Sequence, residues 1–514
     1  MKAMTSQPPF APFADSAHRS TRACVVSPRF ATALLLLVVA WEFLALVFKT
    51  STMRFWCDEL ITFHISALQP FSLLWRALQA GADGASPGYY VIMRLARMLP
   101  GDPFVTLRLP SILGYVLTLA GVYWFARKRL PVSAGVTAAL LVTLSPLRDY
   151  ALDARCYSML VGFLAMSAAL WQRIGEKRFM TPLFALFLTL AVSTHYLAVV
   201  AISCFGMAEL TQTILLRRIR WGSWASCLLA TCPFLLSLPV LRHFRDMYGQ
   251  NFLERPSWGT AVYTYEAYTG IAPILVLVLI VFLGLLLGNR LLETLRRSGE
   301  GAPDIVLIAG LLFYPVLLVV IAKVQHGGYM ERYGWPAILG LVLGAVYSSP
   351  TNWLKSSSTC LLASLLIAFA VQGVRDFRLP SRPEATRTDA RWARLAELIR
   401  NEPRIPVVIA SPVGFVEASE YAPPELRDRV VMVADADTAT RLAGTDTLDK
   451  QMAVLARFMP LRLEAPAPFQ AAHQRFILYS GSQSDWITAH LVERKYRLML
   501  ISHLDQRTVY LAER

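Results

Sequence analysis

Charge is what this sequence has least of. Asp, Glu, Lys and Arg make up 17% of its 514 residues, while 55% are hydrophobic and the mean hydropathy is +0.45. A water-soluble chain of this length carries more charge, so the class is polytopic membrane protein. Metal-ligand spacing is missing as well: the seven cysteines match no such pattern, and most lie in apolar segments as small hydrophobes. No internal repeat is visible, which separates the chain from many transporters and flippases. The first apolar run ends in "ALVFKTS" with no small-residue cleavage site, so it reads as an uncleaved signal-anchor. The net charge is +15, yet residues 376–514 hold 19 Lys/Arg against 18 Asp/Glu. The positive excess therefore belongs to the membrane part, and no nucleic-acid partner is implied.

What is present is a series of apolar runs, near 31–48, 108–126, 132–146, 156–171, 180–194, 196–216, 224–241, 272–288, 304–322, 334–347 and 358–374. They predict about eleven transmembrane helices in a domain over 31–375. A polar segment over 1–30, carrying Lys2, Arg19, Arg22 and Arg29, precedes them. "ARKRLP", "QRIGEKRF", "LLRRIRW" and "NRLLETLRRSGEG" fall on one side of the membrane, together with the N-terminus. The positive-inside rule makes that side cytoplasmic. The other side then receives every connection with chemically capable residues: "DEL" after the first run, "RDYALDARCY", "STHYLA", the 242–271 loop and "KVQHGGYMERYGW".

The connection at 49–107 is too long for a turn. "FSLLWRALQA" places Phe71, Leu74, Trp75 and Leu78 on one helical face, and "SPGYYVIMRLARML" has the same character, so a lid of interfacial helices is expected there. After 376 the pattern changes to a small extracytoplasmic α/β domain. "RWARLAELIR" has helical period, and "IPVVIAS", "RVVMVAD", "RFILYSG" and "YRLMLISHL" read as strands. This tail has no Gly-rich phosphate loop, nucleophile elbow or metal-ligand pattern, and no catalytic role is expected of it.

Adjacent carboxylates at a membrane boundary, Asp58 and Glu59, are either a solvated helix end or a working site. Their setting favours a site. The acidic pair, "SPGYY", "RLPS", "SP…ALDARCYSM", "THY" and "ERYGWPA", in this order and on one membrane face, resembles the GT-C glycosyltransferases. The resemblance runs from about 31 to 350 and is nearest to the protein O-mannosyltransferase and aminoarabinose-transferase branch. It implies transfer of a sugar from a polyprenyl-phosphate carrier to an extracytoplasmic acceptor (protein, lipid or glycan) by a multi-pass enzyme of the inner, or plasma, membrane. An oligosaccharide ligase or polymerase is the neighbouring alternative, and a lipid-linked sugar flippase the alternative from another class.

Such a transfer needs cations at the departing phosphate and a base at the acceptor. Asp58 is the candidate base, with Glu59 positioning the acceptor; the same two are the candidate ligands should a divalent cation be required. Arg155 and Arg332 are the candidate phosphate clamp, assisted by His195 and Tyr333. Asp153, Tyr89, Tyr157 and Tyr196 are further candidates for substrate contact. The ordinary alternatives are that the arginines snorkel to the interface, that the tyrosines form an aromatic belt, and that Asp153 only orients Arg155. Glu42, within the first apolar run, is expected to be buried and hydrogen-bonded. If the motifs form one site, Cys57 and Cys156, beside Asp58 and Arg155, should lie near each other.

Overall fold

The computed structural model describes residues 27–249, 251–252, 255–297, 299–349, 358–378, 384–481, 485–504 and 506–514. Most of the polar N-terminal segment, with Lys2, Arg19 and Arg22, lies outside them. Helix α1 (Pro28–Thr50) starts where the Ser27 hydroxyl accepts from the Phe30 amide at 3.2 Å and Pro28 occupies the first turn. The acidic pair opens a separate short helix, α2 (Cys57–Ala67). Glu59 there reaches back to the Trp56 amide at 3.2 Å, and both carboxylates sit in the first turn, where the helix dipole favours them. Next come α3 (Phe71–Gln79), α4 (Pro87–Arg97), α5 (Pro103–Thr106) and α6 (Leu109–Ala126). Leu74, Ala77 and Leu78 of α3 are completely buried. The 49–107 connection is thus a set of short helices, packed on the core through residues such as Leu74 and Leu78 and exposing Phe71, Leu95 and Met98 on the other side.

Every one of the eleven apolar runs is helical, but they differ in length. Among the described residues, Arg29–Thr50, Pro103–Ala126, Ala198–Leu216, Trp221–Tyr248 and Pro273–Arg297 are long and apolar enough to cross a membrane. Ala302–Leu312 and Tyr314–Val324 make a sixth crossing if taken as one helix bent by 52°. In the 21-residue helix Ser358–Arg378 the apolar stretch is Leu365–Val374; Val132–Thr143, Tyr157–Trp171, Met180–Thr194 and Ala337–Ser348 are shorter helices, at 12–15 residues. At about 1.5 Å per residue these reach less than the ~30 Å of a hydrocarbon core. All eleven expected runs are thus helical, and among the described residues five or six of them meet a crossing test by length and composition. The chain is a multi-pass membrane protein.

Helices α6 and Tyr157–Trp171 pack backbone to backbone. A Cβ on Gly162 would fall 2.0 Å from the Gly114 carbonyl oxygen, and one on Gly114 would fall 2.4 Å from the Met159 Cα. Small residues at such a crossing allow the approach that replaces hydrophobic driving force in lipid.

Residues 384–514 form a mixed sheet with helices. Strands β1 (Val407–Ile409), β2 (Val430–Val433), β3 (Leu463–Glu464), β4 (Arg475–Ser480), β5 (Arg497–Leu504) and β6 (Arg507–Glu513) lie in the order β3-β2-β1-β4-β6-β5. The first four are mutually parallel; β6 runs antiparallel to β4 and β5. The sequence reading named β1, β2, β4 and β5 and passed over β3 and β6. Alternate residues serve two cores: Val407, Ile409, Val430 and Ile477 join the core continuous with the helical part. Val408, Val431 and Leu478 face a second cluster on the other side.

Candidate active site

Five segments distant in sequence meet around Asp58. Its carboxylate lies 3.5 Å from Arg332 Nη2 and 4.0 Å from Arg155 Nε, and about a fifth of the side chain is exposed. Arg332 comes from the 3-10 turn Glu331–Gly334 of the "ERYGWPA" motif, and its guanidinium lies 5.9 Å over the Tyr157 ring. Arg155 comes from the connection before Tyr157–Trp171. Its Nη1 and Nη2 grip both oxygens of Asp83, at 3.0 and 3.3 Å, and Nη1 also reaches Thr62 Oγ1 at 3.1 Å. Asp83 accepts from the Tyr90 hydroxyl at 2.6 Å. The Arg155 guanidinium and this hydroxyl outweigh desolvation and hold the Asp83 carboxyl below its usual range. The Nε atoms of Arg155 and Arg332 are both buried and have no hydrogen-bond partner. Two donor groups thus stand free beside one carboxylate.

His195 ends helix Met180–Thr194, with its ring 5.7 Å from that of Tyr157 and 5.4 Å from that of Tyr333. Burial, then the nearby Arg155 and Arg332 charges, push its pKa down to about 4. Its Nδ1 accepts from the Leu197 amide at 3.2 Å, which puts the proton of the neutral ring on Nε2. His195 therefore offers a neutral donor in place of the charge expected of a clamp residue. Asp153 is half-buried; desolvation, then the Glu59 charge, push it up to about 7. Its backbone carbonyl accepts from the Arg155 amide at 2.8 Å, so the orientation it provides runs through the main chain.

Other candidates have different work. Glu59 does not face the cluster. Its oxygens receive Arg108 Nε and Nη2 at 2.7 Å each, the Ala154 amide at 2.6 Å and the Trp56 amide. Neither side chain of the Glu59–Arg108 pair is exposed. Arg108 also caps the carbonyls of Thr50, Met53 and Arg54. With all its lone pairs committed, Glu59 cannot also position an acceptor, and Asp58 with Glu59 does not fit a divalent cation. Among the described residues, no three His, Cys, Asp or Glu side chains are grouped to hold one.

Tyr89 is fully buried and donates to the Ala154 carbonyl at 2.5 Å; Tyr196 donates to that of Ala85 at 3.0 Å. Both join the polypeptide to itself. Tyr157 and Tyr333, whose rings flank His195, remain beside the cluster. Glu42 pairs with Arg148 at 2.7 Å in the core. Cys57 and Cys156 are free, buried thiols.

The residues that sequence reasoning missed are Asp83, its partner Tyr90, and Arg108. Arg108 stands first in "RLPS", one of the ordered motifs, so it had a signal in the sequence. Asp83 lies among small residues in "GADGAS" and has no local signal at all.

Residues 84–237 match the family model for dolichyl-phosphate-mannose-protein mannosyltransferases. This stretch carries Arg108, Arg155 and His195. No curated protein sequence matches the chain. The fold is similar to that of ArnT from Cupriavidus metallidurans. Against its apo form the TM-score is 0.54 at 13% identity, over 94% of this chain and 98% of that one. Against the form bound to undecaprenyl phosphate it is 0.51 at 13% identity, over 93% and 98%. The resemblance drawn from the ordered motifs is met by both comparisons. The chain has the fold of ArnT, and residues 84–237 are similar to the dolichyl-phosphate-mannose-protein mannosyltransferases.

Proposed function

We propose that this protein is a glycosyltransferase that moves a sugar from a polyprenyl-phosphate donor to an acceptor on the extracytoplasmic side of the membrane. The observation that carries this reading is the Asp58 carboxylate between Arg155 and Arg332, each with a free Nε–H. A polyprenyl phosphate is a competent leaving group, so the demand on the protein is stabilisation of the departing charge rather than a strong acid. As the bond from the anomeric carbon to the phosphate oxygen breaks, the arginines take the charge, and the His195 Nε2–H and the Tyr333 hydroxyl add neutral donors. The acceptor's hydroxyl or amine attacks the anomeric carbon, and its proton passes to Asp58.

The two arginines have separate duties. Arg155, already bound to Asp83, sets the floor of the site. Arg332 is the more exposed cation, suited to meet the phosphate. The likeness to an ArnT captured with undecaprenyl phosphate supports a polyprenyl phosphate as the carrier. The Lys/Arg-rich loops on the opposite side support an extracytoplasmic site in the inner, or plasma, membrane.

The test is purified protein with polyprenyl-phosphate sugars and Asp58→Asn beside wild type. Asn keeps the shape and removes the basicity, so turnover should fall by roughly 10²- to 10⁴-fold while the protein still inserts. Equal turnover in the two proteins would remove Asp58 from the chemistry.

A further inference from the structure

The unit formed by residues 384–514 takes no part in the reaction just described, yet its contacts with the helical part fall on the segments that carry the carboxylates. The Tyr421 hydroxyl, at the end of helix Pro412–Tyr421, accepts from the Phe55 amide at 3.0 Å and donates to the Phe55 carbonyl at 3.1 Å. Glu420 meets His64 Nε2 at 3.0 Å. Arg54 pairs with Asp389 at 2.8 Å and lies 5.5 Å over the Tyr421 ring. These contacts straddle α2, with Asp58 between them. From helix Thr447–Leu455, Gln451 donates to the carbonyl of Ala82, next to Asp83, at 3.4 Å.

Asp58 needs such support. Its own contacts with the two arginines, at 3.5 and 4.0 Å, are long and do not fix a carboxylate in one place. An 11-residue helix has little stability of its own, so its placement comes from packing. A displacement of about 1 Å at a reacting group costs on the order of 10²-fold in rate.

We propose that the 384–514 unit is a clamp that sets the position of the Asp58 carboxylate by gripping α2 from both ends, with Tyr421 and Glu420 as its positioning residues. The inference rests on Asp58 being the base. It makes the tail part of the catalytic geometry, in contrast to an appended module that recognises the acceptor.

The experiment uses the full chain in lipid nanodiscs with Tyr421→Phe, Glu420→Gln, Glu420→Asp and Asp58→Asn. Phe removes only the hydroxyl and leaves the ring against Arg54. The clamp predicts that kcat falls about tenfold or more in Tyr421→Phe and Glu420→Gln, with KM for donor and acceptor within about twofold. Amide hydrogen exchange over 56–67 should quicken in both, and Glu420→Asp should recover part of kcat. If Tyr421→Phe also lowers the melting temperature, Glu420→Gln decides, because it removes the charge from the partly exposed pair with His64 without opening the core. Unchanged kcat and exchange in Glu420→Gln would overturn the clamp. So would a loss confined to acceptor KM, which would make the unit an acceptor-binding module. Asp58→Asn separates the two levels: if it is inactive while the tail variants are normal, only the clamp is lost, and if it is fully active the reaction scheme fails as well.

Discussion

Two guanidinium groups converge on Asp58, but they are anchored differently. Arg155 is held by a buried carboxylate and a hydroxyl, whereas Arg332 has only a tyrosine ring beneath it and the Asp58 oxygen at its edge. Arg332→Lys keeps the charge and loses the planar fork that can hold a phosphate at two points. It should raise the donor KM and lower kcat/KM by about tenfold or more, in steady-state assays with donor varied. His195 makes a prediction about pH. Its folded pKa of about 4 lies below the ordinary value of about 6.5, so the unfolded chain binds more protons between those values. Stability should therefore rise with pH across that window and be lost as pH falls toward 4. Melting curves of wild type and His195→Gln should diverge from about pH 4 to 6.5 and run parallel above it. At this scale much of the site was legible. Asp58, Arg155, Arg332, His195 and Tyr333 each stand in a motif on one membrane face, and they meet. Glu59 was misread because adjacency in sequence is not adjacency in space: neighbours on a helix point about 100° apart, so one carboxylate faces the arginines and the other the core. Asp83 left no trace because an ion pair spanning 72 residues has no local pattern.

Among the elements, α6 and Tyr157–Trp171 leave the least tolerance. Gly162→Ala puts a methyl into the Gly114 carbonyl, and relief requires moving a whole helix. The variant should lose about 3 kcal/mol or more and give little folded protein. Gly206→Ala, in helix Ala198–Leu216 with nothing within 4 Å of the added atom, should behave as wild type. Size-exclusion profiles and melting curves of the detergent-solubilised proteins check both. Hydrophobic runs announced each of these helices but not their lengths as ordered elements. Helix α2 escaped notice for a related reason. Its sequence is too short and too mixed for a periodic signal, and its start is fixed by the Glu59 cap and by Arg108 from 49 residues away. In the tail, β3 was passed over because it is only two residues long, whereas β6 carries an apolar run of its own, Val509–Ala512, and was legible.

For the molecule as a whole, the segregation of basic loops from the motif-bearing connections is the basis of the proposed topology, with both the site and residues 384–514 outside the cytoplasm. A reporter active only in the cytoplasm, fused after Arg514, should give no signal, and one fused within 289–301 should give a strong one. The reverse pattern would invert the placement of the site.

Phe55 and Tyr421 are 366 positions apart, so the tether reaches α2 late in the life of the nascent chain. At about 5–20 residues per second, roughly 20–70 s pass between the synthesis of one partner and the other. Through that interval the acidic helix has its Arg108 and Ala154 contacts but lacks the grip of the tail at Phe55 and His64. Polypeptides released early, by a stop codon anywhere before position 421, should accumulate in the membrane as silent proteins. On the clamp proposal, activity begins as a single late event in biogenesis, and quality control has one place to look for it: the docking of the tail.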